Sequence, residues 1–412
     1  MAVLVKTSAT LQVAMETTYG TAVTPVSSDS ILCEDPDFSV DLTTLERNFV
    51  RASISPTAII NGRKIARMKF SLELRSNGKN TGILADAPII SRLFRACGFA
   101  ITASATPTAK IFQVGDHANQ ASSMLVSAAS ATNTTAIMYV LRVITPGASA
   151  TATVQVFSDT PGEAMAAAIF TSGTPKTLGT KGATATISFT GSLVAGQEWV
   201  VFVFPKGIML NPISSAFESV TLVMNKSGVQ HQMPGAIGTF DIEAEAGQYA
   251  KINFDFQGIY VAPTDVAVPT NLSYEQTLPA MVELAQLRID DFNAIVSKYT
   301  LDIANDIQPR PDVSSANGYI GLRLVDRKPE GGIDPEADLV ASHDFWGKLS
   351  AATRMPFVMR CGTVVGNIVN LIHPQVQYSG LTYQDRNNIL NYDAGLRISS
   401  AAGDDEVLIF FG

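Results

Sequence analysis

The stretch TFDIEAEAGQYAKINFDFQG, residues 239–258, sets the fold class. In Thr239–Ala246 the residues Thr239, Asp241, Glu243 and Glu245 alternate with Phe240, Ile242, Ala244 and Ala246. After Gly247-Gln248 the alternation resumes, with Lys251, Asn253, Asp255 and Gln257 against Ile252, Phe254, Phe256 and Gly258. Successive side chains of a strand point to opposite faces. Two period-two runs around a short turn therefore predict an antiparallel hairpin with one apolar and one polar face. That polar face carries Asp241, Glu243, Glu245 and Asp255 against Lys251 alone. It reads as an acidic wall.

The chain around this hairpin changes texture twice. Charged and apolar residues mix up to about Asp116 and again after Gly207, whereas Ala118–Pro205 is rich in Ala, Ser, Thr, Val and Gly. Its runs Ala136–Ile144, Ala152–Phe157, Thr184–Thr190 and Glu198–Phe204 are β-branched or aromatic and bounded by turn residues. They predict an immunoglobulin-like β-sandwich over 117–206, with Trp199 in its core, inserted into another domain. A chain of 412 residues exceeds one ordinary core. The remainder divides into a first domain, 1–116 plus 207–268, and a second, 269–412.

Helical signals are few. Ala87–Gly98, with Pro88 near its start, predicts one short helix, and Asp334–Leu349, entered through Pro335, a second. Leu278–Val296 reads as strands around the turn Asp290-Asp291. Features then recur in order. Arg63–Arg75, the helix Ala87–Gly98, Ser227-Gly228 and the hairpin Thr239–Tyr260 are answered by Tyr319–Arg327, Asp334–Leu349, Cys361-Gly362, and the strands Asn367–Leu371 and Asn388–Ile398. Phe254-Asp255-Phe256 is matched with Tyr392-Asp393-Ala394. The expectation is an internal repeat.

Composition narrows the function. Hydrophobic residues make up 46% and charged residues 16%, against roughly 25% charged in ordinary soluble domains. So little charge leaves a surface to be covered by small polar groups or by other copies of the chain. The net charge of −8 argues against a tightly held duplex nucleic acid, which needs a basic stripe. Neither a signal-peptide pattern nor a run near the ~20 apolar residues of a membrane span is seen. Cys33, Cys97 and Cys361 lack any CxxC spacing, so a reducing cytoplasm is expected and the sequons at Asn133, Asn225 and Asn271 carry no weight.

Reactive constellations are missing from the sequence. His117, His231, His343 and His373 are scattered, without HxH or HExxH spacing. His343-Asp344 reads as a satisfied polar pair near Trp346, and Gly331-Gly332 as a turn. His231 with Glu243 and Glu245 lacks a second histidine for a metal, and the same two glutamates lack the sugar platform of a glycosidase. No catalytic, cofactor-binding or metal residue is predicted, and no enzymatic activity. The basic residues Arg47, Arg51, Arg63, Lys64, Arg67, Lys69, Arg75 and Lys79 surround a span, Arg47–Gly62, that reads as a long loop or arm. A basic arm and an acidic wall on one chain point to head-to-tail attraction between copies. An ordinary solvated loop accounts for the arm equally well.

Several of these segments, in their order, resemble a known family. Glu16-Thr17-Thr18-Tyr19-Gly20-Thr21-Ala22-Val23-Thr24-Pro25 is similar to the opening of many phage tail tube proteins. So are the arm Arg47-Asn48-Phe49-Val50-Arg51 to Ser55-Pro56 with Gly62-Arg63-Lys64, and the helix Leu93-Phe94-Arg95-Ala96-Cys97-Gly98-Phe99. Gly235–Phe240 with Phe254–Gly258 resembles the family's inner-sheet hairpin. The resemblance implies a mainly β fold, tandem tube domains with short flanking helices, in a major tail tube subunit of a siphovirus, a phage with a long non-contractile tail. Copies close into rings around a channel, six chains in most relatives and three with pseudo-sixfold symmetry if the repeat holds. Rings stack around a tape measure protein, between tail terminator and distal tail proteins, and double-stranded DNA passes through without sticking. The tail is assembled in the host cytoplasm, with no membrane partner. Asp241, Glu243, Glu245 and Asp255 are then expected to face the lumen, and Arg47, Arg51, Arg63 and Lys64 to form the inter-subunit or inter-ring arm. The rival expectations are a β-sandwich adhesin or capsid-surface decoration protein, and a carbohydrate-active enzyme.

Overall fold

The acidic hairpin pairs as its alternation demands, with Ile237–Glu243 lying antiparallel to Lys251–Gln257. The computed structural model describes residues 9–47, 49, 50, 52, 54, 55, 57–114, 122–283, 285–315 and 317–412. They are mainly β, with two short α-helices, α1 (Ile90–Ala96) and α2 (Phe345–Ser350). Eight strands build the central sheet. In chain order these are β1 (Glu34–Leu45), β2 (Ile60–Glu73), β3 (Val229–Glu245), β4 (Lys251–Ile259), β5 (Val296–Asp302), β6 (Glu330–Pro335), β7 (Val369–Arg386) and β8 (Ile389–Ser399). Neighbours are antiparallel in the order β1-β2-β4-β3-β5-β6-β8-β7.

The second four strands repeat the pairing of the first four. β3 and β7 each change partner partway along. The first part of β3 pairs with Val220–Lys226, which pairs in turn with Ala9–Met15. The first part of β7 pairs with Met355–Cys361, which pairs with Gln286–Ile289. α1 follows β2 as α2 follows β6. The apolar faces of both sets enclose one core. Phe94 of α1 meets Phe240 edge-on at 5.0 Å, and Phe345 of α2 lies 4.9 Å from Tyr392. Each such fully buried phenylalanine contributes about 1.5–3 kcal/mol by leaving water.

Two expectations are corrected here. Asp334–Leu349 is not one helix. Asp334 and Pro335 end β6, and α2 starts only after Asp344, whose carboxylate caps it by accepting the Gly347 N–H at 2.7 Å. Gly331-Gly332 is not a turn but lies inside β6, where a Cβ on Gly331 would sit 2.8 Å from the Thr300 carbonyl oxygen of β5. The repeat is also aligned differently. Tyr319–Arg327 pairs with Asn305–Pro311 in a separate hairpin that seats Tyr319 and Leu322 on Ile65 and Ile237. β6 takes the place matching β2, and Asn367–Leu371 covers only the start of β7.

The inserted segment forms a five-stranded sheet against a three-stranded one. Its edge strand Thr108–Val114 lies upstream of residue 117. The strand Glu198–Phe204 is buried at each residue. Trp199, Val201 and Val203 face the sandwich core, while Val200, Phe202 and Phe204 pack on Met209, Val358, Ile372, Leu408 and Phe410 of the body. Burial on both faces turns an alternating strand into a continuous apolar run.

Candidate assembly site

The polar face of the central sheet brings the four expected acids together. Asp241, Glu243 and Glu245 stand on β3 and Asp255 on β4, with Phe240, Ile242, Phe254 and Phe256 buried behind them. The acidic wall is not opposed by Lys251 alone, because β2 runs beside β4 and adds Arg67 and Lys69. Asp255 accepts a bidentate pair from Arg67, one bond 2.7 Å long, and lies 3.3 Å from Lys69. That partnership spans some 188 positions of chain, so nothing local signalled it.

Further cations of this face are also tied to acids. Lys251 binds Glu34 at 2.7 Å, which holds that carboxyl below its usual range. Lys298 stands 3.9 Å from Glu243, Arg397 binds Glu330 at 3.0 Å, and Arg386 binds Asp334 and Glu336 at 2.9 and 3.2 Å. Exposed pairs of this kind add only about 0–1 kcal/mol each to stability. Their effect is chemical, since a cation already held by a carboxylate attracts a further anion less. Asp241 faces Asp302 across the β3·β5 ladder. Its pKa is raised by burial and by Asp302 and Glu243, against the Asn253 amide bonded to it at 2.6 Å.

Both ends of the sheet are open among the described residues. β1 pairs only with β2, and β7 from Gly380 to Arg386 pairs only with β8. These edges carry exposed apolar side chains, Leu42 on β1 and Tyr383 on β7, with Trp346 of α2 next to Tyr383. An unpaired edge exposes a row of backbone donors and acceptors that invites another strand.

The arm is shorter than expected. It runs between Leu45 and Ile60. Arg47 lies there with its guanidinium 5.6 Å over the Phe49 ring, and Phe49, Val50 and Ile54 are exposed. Arg51 lies outside the described residues. Arg63 and Lys64 belong to β2, not to the arm, because Asn61-Gly62 continues the strand. Lys64 pairs with Leu42 and stands 5.7 Å over the Tyr260 ring.

The histidines are dispersed. His343 bonds Tyr378 at 3.0 Å and stacks on Phe292; burial and Lys348 push its pKa down to about 4. His373 lies between the Tyr299 hydroxyl and the Glu406 carbonyl, and His231 stacks near Phe38, away from Glu243 and Glu245. His117 is outside the described residues. Among the described residues no group of three or more His, Cys, Asp or Glu is placed to hold a metal, and no helix is long and apolar enough to cross a membrane.

One cluster escaped the sequence reading. Arg142 of the inserted sandwich bonds Glu198 of the same sandwich and reaches across to Asp290 and Asp291, while Lys348 of α2 also holds Asp290. A lone arginine in the apolar run Ala136–Ile144 was the available sign, since buried charges require partners.

A broad charged sheet face, with both sheet edges open among the described residues, marks a β-sheet protein that presents extended surfaces. Against known families the chain matches phage tail tube protein over residues 7–381, and it belongs to that family. No curated protein matches it. It is thus a structural component of a phage tail, in a family that self-assembles into the tail tube of the virion.

Proposed function

We propose that this chain is the major tail tube subunit of a siphovirus, acting without catalysis and without a cofactor. It carries two tube units, 1–116 plus 207–268 and 269–412, with an immunoglobulin-like insertion at 117–206. Three copies close a pseudo-sixfold ring, and rings stack in the host cytoplasm around a tape measure protein, between tail terminator and distal tail proteins. The observation that supports this most is the central sheet, in which one set of four strands follows another and both outer edges stay open. Head-to-tail contacts between such edges close a ring when the rotation permits.

The polar face then lines the bore, with Asp241, Glu243 and Glu245 inward. Lys251, Lys298, Arg386 and Arg397 are already paired, so double-stranded DNA meets a surplus of negative charge and slides without being held. Asp255, neutralised by Arg67 and Lys69, contributes less. The arm with Arg47 and Arg51 reaches the next ring.

Electron microscopy of the purified protein tests the reading directly. Rings or tubes with an open bore are expected, and solitary particles at high concentration would overturn it. Glu243→Lys with Glu245→Lys separates the lumen assignment from assembly. Tubes are expected to form while genome delivery falls, whereas unchanged delivery would remove these residues from the bore.

A further inference from the structure

The junction inside the chain is a template for the junction between copies, and the acids along β1 decide which strand it accepts. Resting on the ring reading above, we propose that β7 of one copy pairs with β1 of the next, Tyr383 opposite Phe38 and Gln384 opposite Asp37. Like charge disfavours the acidic row of β3, which β5 already covers within the chain, as an alternative partner of β1.

The register follows from the two ladders. β3 and β7 change partner beside Ala236 and Val376, the last residues paired with Val220 and Met355. Bringing these two points together, with the bulge of β7 between Tyr378 and Gly380 counted as one position, sets Ile242 level with Tyr383. Followed strand by strand across the sheet, the same match sets Leu301 level with Phe38. Within the chain Ile242 lies opposite Leu301 across the β3·β5 junction, and both are fully buried. At the open edges Tyr383 is 56% exposed and Phe38 half-buried. The apolar residues that the internal junction covers thus have counterparts only partly covered, Phe38 by His231 and Tyr383 by Trp346. Pairing can run from Gly380 opposite Asp41 to Gln384 opposite Asp37. It stops there because Asp35 takes a positive φ and Pro36 has no N–H, which breaks the β1 ladder below Asp37.

Charge selects the partner. The polar row of β1 carries Asp37, Ser39 and Asp41. Against it β7 presents Thr382 and Gln384, followed by Arg386, which Asp334 and Glu336 already hold. The level positions on β3 are Asp241, Glu243 and Glu245, so a β3·β1 pairing would set Glu243 opposite Asp37. Like charges directly opposite in a sheet are destabilising, and a wrong partner is rejected by such repulsion as much as the right one is attracted. β3 instead meets β5, which sets Asp241 opposite Asp302 but brings Lys298 within 3.9 Å of Glu243. Because β3 is already paired with β5 inside each chain, first and second sets of strands alternate around the ring.

Two experiments test this. Ser39→Cys with Thr382→Cys in one chain, oxidised after assembly, is expected to link copies covalently through the junction. Rings visible by microscopy without any cross-link would overturn the proposed junction and leave the ring reading standing. Absence of rings from the unaltered protein would overturn both. In the second experiment Gln384→Glu is compared with Gln384→Lys by sedimentation at low salt. The glutamate variant is expected to need about fivefold more protein to assemble, from roughly 1 kcal/mol of repulsion at each junction. The lysine variant should assemble at least as readily as the parent, and Asp37→Lys should rescue Gln384→Glu. A fold defect would affect both substitutions at residue 384, so equal assembly of the two variants overturns the charge argument.

Discussion

Glu16 fixes the bend of the longest strand in the first half. Its carboxylate accepts the Gly20 and Gly235 N–H groups, each at 2.8 Å, and the Ser219 and Thr221 hydroxyls at 2.6 and 2.7 Å. Gly235 has φ +61°, which glycine adopts freely, and it lies where β3 passes from one partner strand to the next. Hydrogen bonds to a charged acceptor contribute about 1.5–3 kcal/mol each. Glu16→Gln, which trades an acceptor oxygen for a donor, is expected to lower stability by about 2–4 kcal/mol in urea unfolding; an unchanged midpoint would contradict the staple. The opening motif was legible as a resemblance, but the role of Glu16 was not, since its partners lie some 200 positions away. His373 gives a pH test. Its Nδ1–H donates to the Glu406 carbonyl, leaving Nε2 to accept from Tyr299, and burial pushes its pKa down to about 4. The unfolded chain takes up this proton near pH 6.5 and the folded chain only near 4. Stability is therefore full above 6.5 and is lost as pH falls through that window, by about 1.4 kcal/mol per unit at most. His373→Gln is expected to make the dependence between pH 6.5 and 4 shallower, with His343 supplying a remaining slope; an unaltered slope would contradict it.

At the scale of elements, strands with one wet face could be read together with the direction of that face, whereas strands buried on both faces were read only as strands. Residues 239–258 alternate because one face of the hairpin meets the core and the other stays open. β6 escaped because Gly331, Gly332 and Pro335 are poor strand residues, and only the close approach of β5 explains them. The start of α2 had a visible mark in Asp344, masked by the stronger promise of Pro335. The sandwich strands were legible, but their second apolar face was absorbed into the same apolar runs, so the docking on the body was hidden. That docking joins an apolar patch to a buried ion cluster. Phe204→Ala, which removes a ring 5.0 Å from Phe410, is expected to cost about 3–5 kcal/mol. Arg142→Ala leaves Asp290 and Glu198 short of a partner, and about 3–5 kcal/mol is expected again. Limited proteolysis at the sandwich–body connections near 105–107 and 205–206 should accelerate in both variants. Unchanged cleavage in both would mean that the sandwich is not braced by these contacts.

For the molecule as a whole, order along the chain carried more information than any single motif. Strand pairing between β1 and β2 or across β3·β5 leaves no local trace, yet the succession of strands, helix and hairpin is written twice and the structure joins both sets into one sheet. The polar face was legible in the sign of Asp241, Glu243 and Glu245, and not in its balance, because Arg67 and Lys69 arrive from a distant strand. The proposed assembly follows the same logic: copies of the chain would complete a sheet that is continuous within it and, among the described residues, open at both ends. The most direct test is a cryo-electron-microscopy map of the assembled tube. The account expects three chains per ring, β7 of each running into β1 of its neighbour, and Asp241, Glu243 and Glu245 pointing into the bore. A map in which β1 and β7 both face solvent, or in which those acids lie on the outer wall, would contradict it.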